Sequence, residues 1–305
     1  MIDISNLSKI GIGTWGIGGL AERNPENDDH KQVDAITYTL DKGINFVEIC
    51  YWYSEGRAVE LFKEALDKST KKVTDIFLSV SLYQHRNPTV EGIEAEFNKV
   101  REKFAVNQVD NTLITFSGIK VWGQEKTIEF LHKIIDNKLT RYVSLTNSNL
   151  EMIKLFHQEF GDKLFDHELT YSFEIRENED MGIIDYATKI GLKNVIWQPI
   201  RRNATAKRNW PLLRKLGQKY NKSQNQIIIN WLTNKGFLPL IKSESIEHID
   251  ENLSALDFVM EPADIQDLNS FRPTGWVTPT IDWNKTGDGV SVSQLPTIFE
   301  ETYKG

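Results

Sequence analysis

Short apolar runs alternate along this chain with longer segments in which apolar residues recur every third or fourth position. The runs that predict strands are Ile10–Trp15, Asn45–Ile49, Ile76–Val80, Thr112–Phe116, Tyr142–Thr146, Glu168–Tyr171, Asn194–Gln198 and Leu238–Ile241. Most are near-continuous in β-branched, leucine and aromatic residues, as expected of strands covered on both faces. Between them, the three-four spacing predicts helices over Gln32–Lys42, Arg57–Lys68, Thr89–Phe104 and Gln124–Asn137. The first carries Val33, Ile36, Tyr38 and Leu40 along one side and stops at Gly43, a natural C-cap. Ser223-Gln224-Asn225-Gln226 reads as a capping box opening Ile227–Trp231, the Ser and the Gln three residues on satisfying orphan amides.

A strand–helix alternation repeated eight times, with no Gly/Ser linker and no break in composition, reads as a single (β/α)8 barrel over residues 1–305. A doubly wound α/β sheet shares the same periodicity and stands as the structural rival. From Phe271 onward the chain carries Pro273, Gly275, Pro279, Gly287 and Gly289, with Trp276 and Trp283 between them. That tail predicts an irregular C-terminal arm laid on the barrel, over about 271–305, instead of a further unit.

Composition narrows the function classes. A content of 40% hydrophobic and 26% charged residues is ordinary for a globular chain. The formal charge of −7 gives no support to a nucleic-acid or membrane-surface role. The single cysteine, Cys50, excludes an intrachain disulfide and a multi-cysteine metal cluster. Residues 1–6 lack the basic stretch and apolar run of a signal peptide, and no apolar run approaches the roughly 18 residues of a membrane span. The expectation is a cytoplasmic protein that holds no metal.

In a barrel, chemistry sits at the carboxyl ends of the strands. Those positions read Gly13-Thr14-Trp15, Glu48 through Tyr53, Ser81, Thr115, Thr146-Asn147, Glu168, Trp197-Gln198 and Lys242-Ser243. The collection is rich in hydroxyls, amides and aromatics. It contains no metal-ligand spacing, no G-x-S-x-G elbow and no phosphate loop, so metallohydrolase and serine-hydrolase readings start weak.

Several of these segments together resemble the aldo-keto reductases. Gly43-Ile44-Asn45-Phe46-Val47-Glu48, followed by Tyr53-Ser54-Glu55-Gly56-Arg57, is similar to their strand-two signature, with Glu48 where they carry Asp. The likeness continues through Ile10 to Trp15, Arg141 to Asn147, Trp197 to Ile200, Pro239 to Ser243, and Glu251-Asn252-Leu253, in the family's order. It implies a barrel that binds NADP(H), with NAD(H) as the alternative, without a Rossmann domain. By the same resemblance Thr146, Asn147, Glu168 and Trp197 lie around the nicotinamide, and Thr14 and Gln198 are further cofactor-binding candidates. Thr146 stands for the family's Ser, Asn147 is identical, and Trp197 offers the aromatic face. Glu168 replaces an amide Gln; a carboxylate accepts from the carboxamide NH2 but donates only when protonated. At the adenosine end, Lys242 and Ser243 match the 2′-phosphate pair, and Glu251 and Asn252 match the adenine pair. His248 replaces an Arg, and Glu244 adds a negative charge nearby. Arg201 and Arg202 are candidates for the pyrophosphate.

The catalytic tetrad departs from the family. Members reduce a carbonyl with a Tyr as proton donor, tuned by a Lys and an Asp, while a His orients the carbonyl. Here Tyr53 matches the Tyr and Glu48 the Asp, but Ser81 stands at the Lys position and Thr115 at the His position. Without the ammonium, Glu48 as a carboxylate disfavours ionisation of the phenol, and Thr115 cannot shuttle a proton at neutral pH as His could. His85, Arg86 or Lys120 are loop residues within sequence reach of Tyr53. Tyr51, Trp52, Trp122 and Trp276 are candidate pocket walls, and Cys50 is a packing residue.

The leading expectation is therefore an oxidoreductase acting on a small carbonyl or alcohol, with Glu48 and Tyr53 carrying the remaining proton chemistry. The alternative is a catalytically lapsed barrel that keeps the nicotinamide cofactor as ligand or sensor. An isomerisation or elimination using Glu48 as base is a third possibility.

Overall fold

The computed structural model describes residues 2–272. Each apolar run expected to be a strand is one: β1 (Gly11–Gly13), β2 (Phe46–Cys50), β3 (Phe77–Leu82), β4 (Val109–Thr115), β5 (Thr140–Thr146), β6 (Leu164–Thr170), β7 (Lys193–Trp197) and β8 (Leu238–Ile241). They close in sequence order, every pair parallel, and β1 pairs with both β2 and β8. The closure excludes the open doubly wound sheet.

The first crossovers are α1 (Asp29–Asp41), α2 (Arg57–Lys68), α3 (Val90–Lys103), α4 (Phe116–Trp122), α5 (Gln124–Asp136) and α6 (Leu150–Phe160). The later ones are α7 (Glu177–Asp180), α8 (Ile183–Lys189), α9 (Ala204–Lys207), α10 (Pro211–Tyr220), α11 (Gln224–Asn234), α12 (Ile246–Leu253) and α13 (Pro262–Ser270). Helix α1 starts three residues before the predicted span because Asp28 caps it, accepting from the Lys31 amide. It ends as expected: Gly43 follows at φ 97°, a left-handed conformation that costs glycine nothing. The capping box at Ser223 forms with both of its bonds and opens a helix that runs to Asn234.

Inside the barrel the side chains lie in layers. Phe46, Phe77 and Phe165 fill the amino-terminal end, with Phe77 and Phe165 centroids 4.8 Å apart; a fully buried ring contributes about 1.5–3 kcal/mol. Above them lies a polar layer, in which Asn111 donates to Ser79 Oγ at 2.9 Å and to Asp166 Oδ2 at 3.0 Å, and Ser144 donates to Asp166 Oδ2 at 2.8 Å. The apolar plug closes the floor, so the open end lies at the carboxyl ends of the strands. The predicted arm, with Trp276 and Trp283, lies outside the described residues except for Phe271 and Arg272. Phe271 stacks on Phe173 with centroids 4.1 Å apart. No described helix is long and apolar enough to cross a membrane.

Candidate active site

At the carboxyl ends of the strands lies a cavity of about 470 Å3. Gly13, Trp15 and Gly16 form its wall near β1, Glu48, Tyr53 and Tyr83 form another side, and Thr146, Asn147, Glu168, Trp197, Gln198 and Lys242 complete the ring.

Glu48, on β2, is 3% exposed. Its Oε1 accepts from Ser81 Oγ at 2.5 Å and from the Tyr53 phenol at 3.2 Å. Burial pushes the Glu48 carboxyl up, and the bonds from Ser81 and Tyr53 oppose that shift. Tyr53 reaches this position through an unusual turn over Tyr53–Gly56, in which Ser54, Glu55 and Gly56 have φ of 50°, 53° and 87°. Left-handed conformations at non-glycine residues are costly and persist where surrounding bonds hold them. Here Ser54 Oγ donates to the Ile17 carbonyl at 2.5 Å and Ser54 N to the Leu20 carbonyl at 2.8 Å. The turn is thereby pinned to the segment after β1, and Tyr53 is carried over the barrel mouth.

A second phenol completes the group. The Tyr83 hydroxyl lies 3.1 Å from that of Tyr53. Since Tyr53 donates to Glu48, Tyr83 is the donor between the two phenols. Burial raises both phenols well above the ordinary tyrosine value, and the Glu48 carboxylate adds to the shift. Among the described residues no cationic side chain hydrogen-bonds to either hydroxyl. Trp52 is stacked between Trp15, 5.8 Å away, and Tyr83, 5.6 Å away, with the Arg86 guanidinium 4.8 Å above it.

Tyr83 was not singled out from the sequence, because it lies beyond the apolar run of β3. The signal was period two: Ser79, Ser81 and Tyr83 share one face of the strand direction.

Thr115 does not join the group. Its hydroxyl caps α4, accepting from the Gly118 amide at 2.9 Å, and lies 3.0 Å from Ser117 Oγ. His85 does not turn toward Tyr53 either; its Nδ1 lies 3.0 Å from Ser117 Oγ. Burial and Arg86 hold that imidazole neutral, pushed down to about 4. Tyr51 packs under Lys99, and Trp122 packs on Phe130 while donating to the Pro88 carbonyl. Neither these two nor Trp52 lines the cavity, because each is drawn into side-chain packing behind it. Cys50 is buried, as expected of a packing residue.

On the opposite side, Thr146 Oγ1 donates to the Glu168 carbonyl at 2.9 Å, and the Asn147 amide donates to the same oxygen at 2.9 Å. Asn147 Oδ1 accepts from Trp197 Nε1 at 3.1 Å, which fixes the indole on the cavity wall. The Glu168 carboxyl accepts and donates no hydrogen bond among the described residues. Burial and the neighbouring carboxyls of Glu48 and Asp166 push it well above the usual carboxylate range. Thr14 is fully buried and does not line the cavity.

At the far end, Lys242 Nζ donates to the Gly16 carbonyl at 3.0 Å and to Glu244 Oε1 at 2.7 Å. Gln32 donates to that same Glu244 oxygen at 2.7 Å. Ser243 bonds locally to Ser245, His248 is exposed on α12, Glu251 is half-buried and Asn252 buried. None of these four lines the cavity.

Arg201 requires a correction. It was expected at the pyrophosphate, but it is 3% exposed and its Nη1 pairs with the buried Glu174 at 2.7 Å. Arg201, Arg202 and Asn203 all take left-handed φ, and this run turns Arg201 into the core while Arg202 lines the cavity.

The fold and the site together define the class: an α/β-barrel with a cavity at the carboxyl ends of its strands, whose wall carries a phenol–carboxylate group on one side and an indole, amide and hydroxyl set on the other. The sequence model of the Aldo/keto reductase family matches residues 9–273, and the chain belongs to that family. It is 21% identical over 278 residues to the methylglyoxal reductase YeaE of Escherichia coli, covering 89% of this chain and 93% of that protein. The crystal structure of the thermostable aldo-keto reductase Tm1743 superposes with a TM-score of 0.78 at 21% identity, covering 87% of this chain and 95% of the other. An aldo/keto reductase from Klebsiella pneumoniae, crystallised with NADP and acetate, superposes with a TM-score of 0.71 at 18% identity, covering 86% and 90%. At these identities the two structures share the fold.

Proposed function

We propose that this chain is an NADP(H)-dependent reductase of a small carbonyl compound, with Tyr53 as the proton donor. The observation that carries the reading is the phenol–carboxylate group facing an open cavity, opposite Trp197, Thr146, Asn147 and Glu168. The cofactor fits the donor set. A carboxyl with no hydrogen-bond partner among the described residues, Glu168, stands on one wall, with an indole fixed by Asn147 and, elsewhere in the lining, a cation, Lys242, to meet a phosphate. Thr146, Asn147, Glu168 and Trp197 would hold the nicotinamide, Lys242 and Ser243 the 2′-phosphate, Glu251 and Asn252 the adenine, and Arg202 replaces Arg201 at the pyrophosphate. A reduced nicotinamide held by these residues would supply a hydride to the carbonyl carbon.

The chain's own residues handle the proton. Tyr53 gives its proton to the carbonyl oxygen, and Tyr83, hydrogen-bonded to it, is placed to replace that proton. Without substrate, Glu48, held by Ser81, accepts from the Tyr53 hydroxyl, and that hydroxyl turns from Glu48 to the carbonyl oxygen as it gives up its proton. Because burial and Glu48 keep both phenols protonated, the site is stocked for reduction, and the reverse oxidation, which needs a phenolate, is disfavoured.

A second reading rests on a specific observation: Ser81 and Thr115 supply no cation and no imidazole at the tetrad positions, and the Thr115 hydroxyl is committed to capping α4. In that reading the barrel retains the cofactor as a ligand or sensor. Titration with NADPH, followed by tryptophan quenching, and then by NADPH consumption over a panel of small aldehydes and ketones, separates the two. Binding with turnover supports the reductase, binding without turnover over the whole panel supports the sensor, and no binding overturns both.

A further inference from the structure

The carboxyl of Glu168 stands on the cavity wall in surroundings that oppose its ionised state, and unlike Glu48 it has no hydrogen bond among the described residues to offset them. The residue is 7% exposed, and its carboxyl makes no hydrogen bond among the described residues. Asp166, two residues earlier on the same strand and inside the same barrel, is bonded by Asn111 and Ser144 and is still pushed up to about 7. Glu168 has no such donors.

The groups that face it, element by element, give no compensation. On its own strand lie Asp166, a like charge, and His167, which is fully buried, accepts the Ser148 amide at Nε2 and is pushed down to about 3, so it stays neutral. Across the barrel lies Glu48 of β2, another carboxyl. Adjacent β5 presents Thr146, whose hydroxyl is spent on the Glu168 main-chain carbonyl, and adjacent β7 presents Val195 and Trp197. Tyr53 and Tyr83 stay protonated. Of the two cations on the wall, Lys242 is engaged by Glu244 and the Gly16 carbonyl, and Arg202 forms no ion pair with Glu168. A largely buried carboxyl beside two further carboxyls, with no donor among the described residues, disfavours its charged form, and the proton is held more tightly.

We infer that Glu168 faces the cavity as a neutral carboxylic acid and pairs through its O–H and C=O with the carboxamide of the nicotinamide, making cofactor binding weaken as the pH rises. The inference rests on the nicotinamide reading proposed above. The neutral acid offers one donor and one acceptor side by side, the complement of a primary amide, whose oxygen accepts and whose NH2 donates. The carboxylate offers acceptors alone and sets a negative charge against the amide oxygen. The sign follows: binding is strongest below the titration of Glu168 and declines above it.

Two measurements test this. In the ligand-free protein at neutral pH, infrared difference spectroscopy should show a carboxylic-acid C=O band that Glu168→Gln removes; titrating the same band in the wild-type protein needs no variant. The second is a tryptophan-quenching titration with NADPH and, as control, with 2′-phospho-ADP-ribose, which lacks the nicotinamide. Relative to the control ligand, wild-type affinity for NADPH should fall about tenfold across the pH range in which that band disappears, the loss of one hydrogen-bonded pair, whereas Glu168→Gln should change less than about twofold over the same range. A missing Glu168 band at neutral pH overturns the inference, and so does the same pH dependence in both proteins. If neither ligand binds at any pH, the cofactor reading and the ligand half of the inference fall together, while the band reports the proton separately.

Discussion

Replacing Glu48 by Gln isolates the largest charge acting on the candidate proton donor. The Glu48 oxygen lies 3.2 Å from the Tyr53 hydroxyl in a fully buried setting. In the alkaline range where a phenol titrates, Glu48 carries its charge, because Ser81 and Tyr53 both donate to it. At an effective dielectric of about 20, two unit charges at that separation interact by about 5 kcal/mol. At 1.36 kcal/mol per pH unit this is a ceiling of about four units on the Tyr53 ionisation. Glutamine keeps the shape and an acceptor oxygen for the phenol, and water or Tyr83 can adjust, so the expected fall in the Tyr53 pKa is about two units. The assay is tyrosinate absorbance against pH, taken as the difference between each protein and its Tyr53→Phe counterpart so that the other tyrosines cancel. The pH profile of alcohol oxidation should move down with it. A Tyr53 ionisation that stays in place, or rises, in Glu48→Gln refutes the electrostatic account of the site.

Two other perturbations follow from the same geometry. Tyr83→Phe keeps the ring against Trp52 but removes the hydroxyl 3.1 Å from Tyr53; kcat should fall about tenfold with KM little changed, as steady-state kinetics would read, and an unchanged kcat removes Tyr83 from the proton path. Glu244→Gln frees Lys242 from the carboxylate 2.7 Å away; because the pair is partly exposed, the preference for NADPH over NADH, read as a ratio of dissociation constants, should rise only about three- to tenfold, and an unchanged ratio separates Lys242 from the 2′-phosphate.

The strands were legible because residues covered on both faces of a parallel barrel form unbroken apolar runs. The reading failed where the barrel interior is polar. β4 starts at Val109 and β6 at Leu164, earlier than expected, since Asp110, Asn111, Asp166 and His167 are buried polar residues that break the runs. Asn111 and Asp166 bond to one another across the barrel, a pairing that no local pattern announces. Position was legible at the carboxyl ends of strands: Glu48, Thr146, Asn147, Trp197 and Lys242, which lie in or just after a strand, line the cavity, and Ser81 bonds to Glu48. It was illegible where backbone handedness decides direction. The left-handed run over Arg201 to Asn203 sends two adjacent arginines to opposite environments, one to Glu174 and one to the cavity. Side-chain commitments also escaped notice: Thr115 follows β4 as expected, but its hydroxyl serves a helix end.

The account stands or falls on the phenol of Tyr53. The most direct measurement is single-turnover reduction of an accepted aldehyde by the NADPH-loaded protein, wild type against Tyr53→Phe, with NADPH affinity measured in parallel. If Tyr53 donates the proton, the rate is at least about a hundredfold lower in the variant at undiminished NADPH affinity. Equal rates in the two proteins would contradict it.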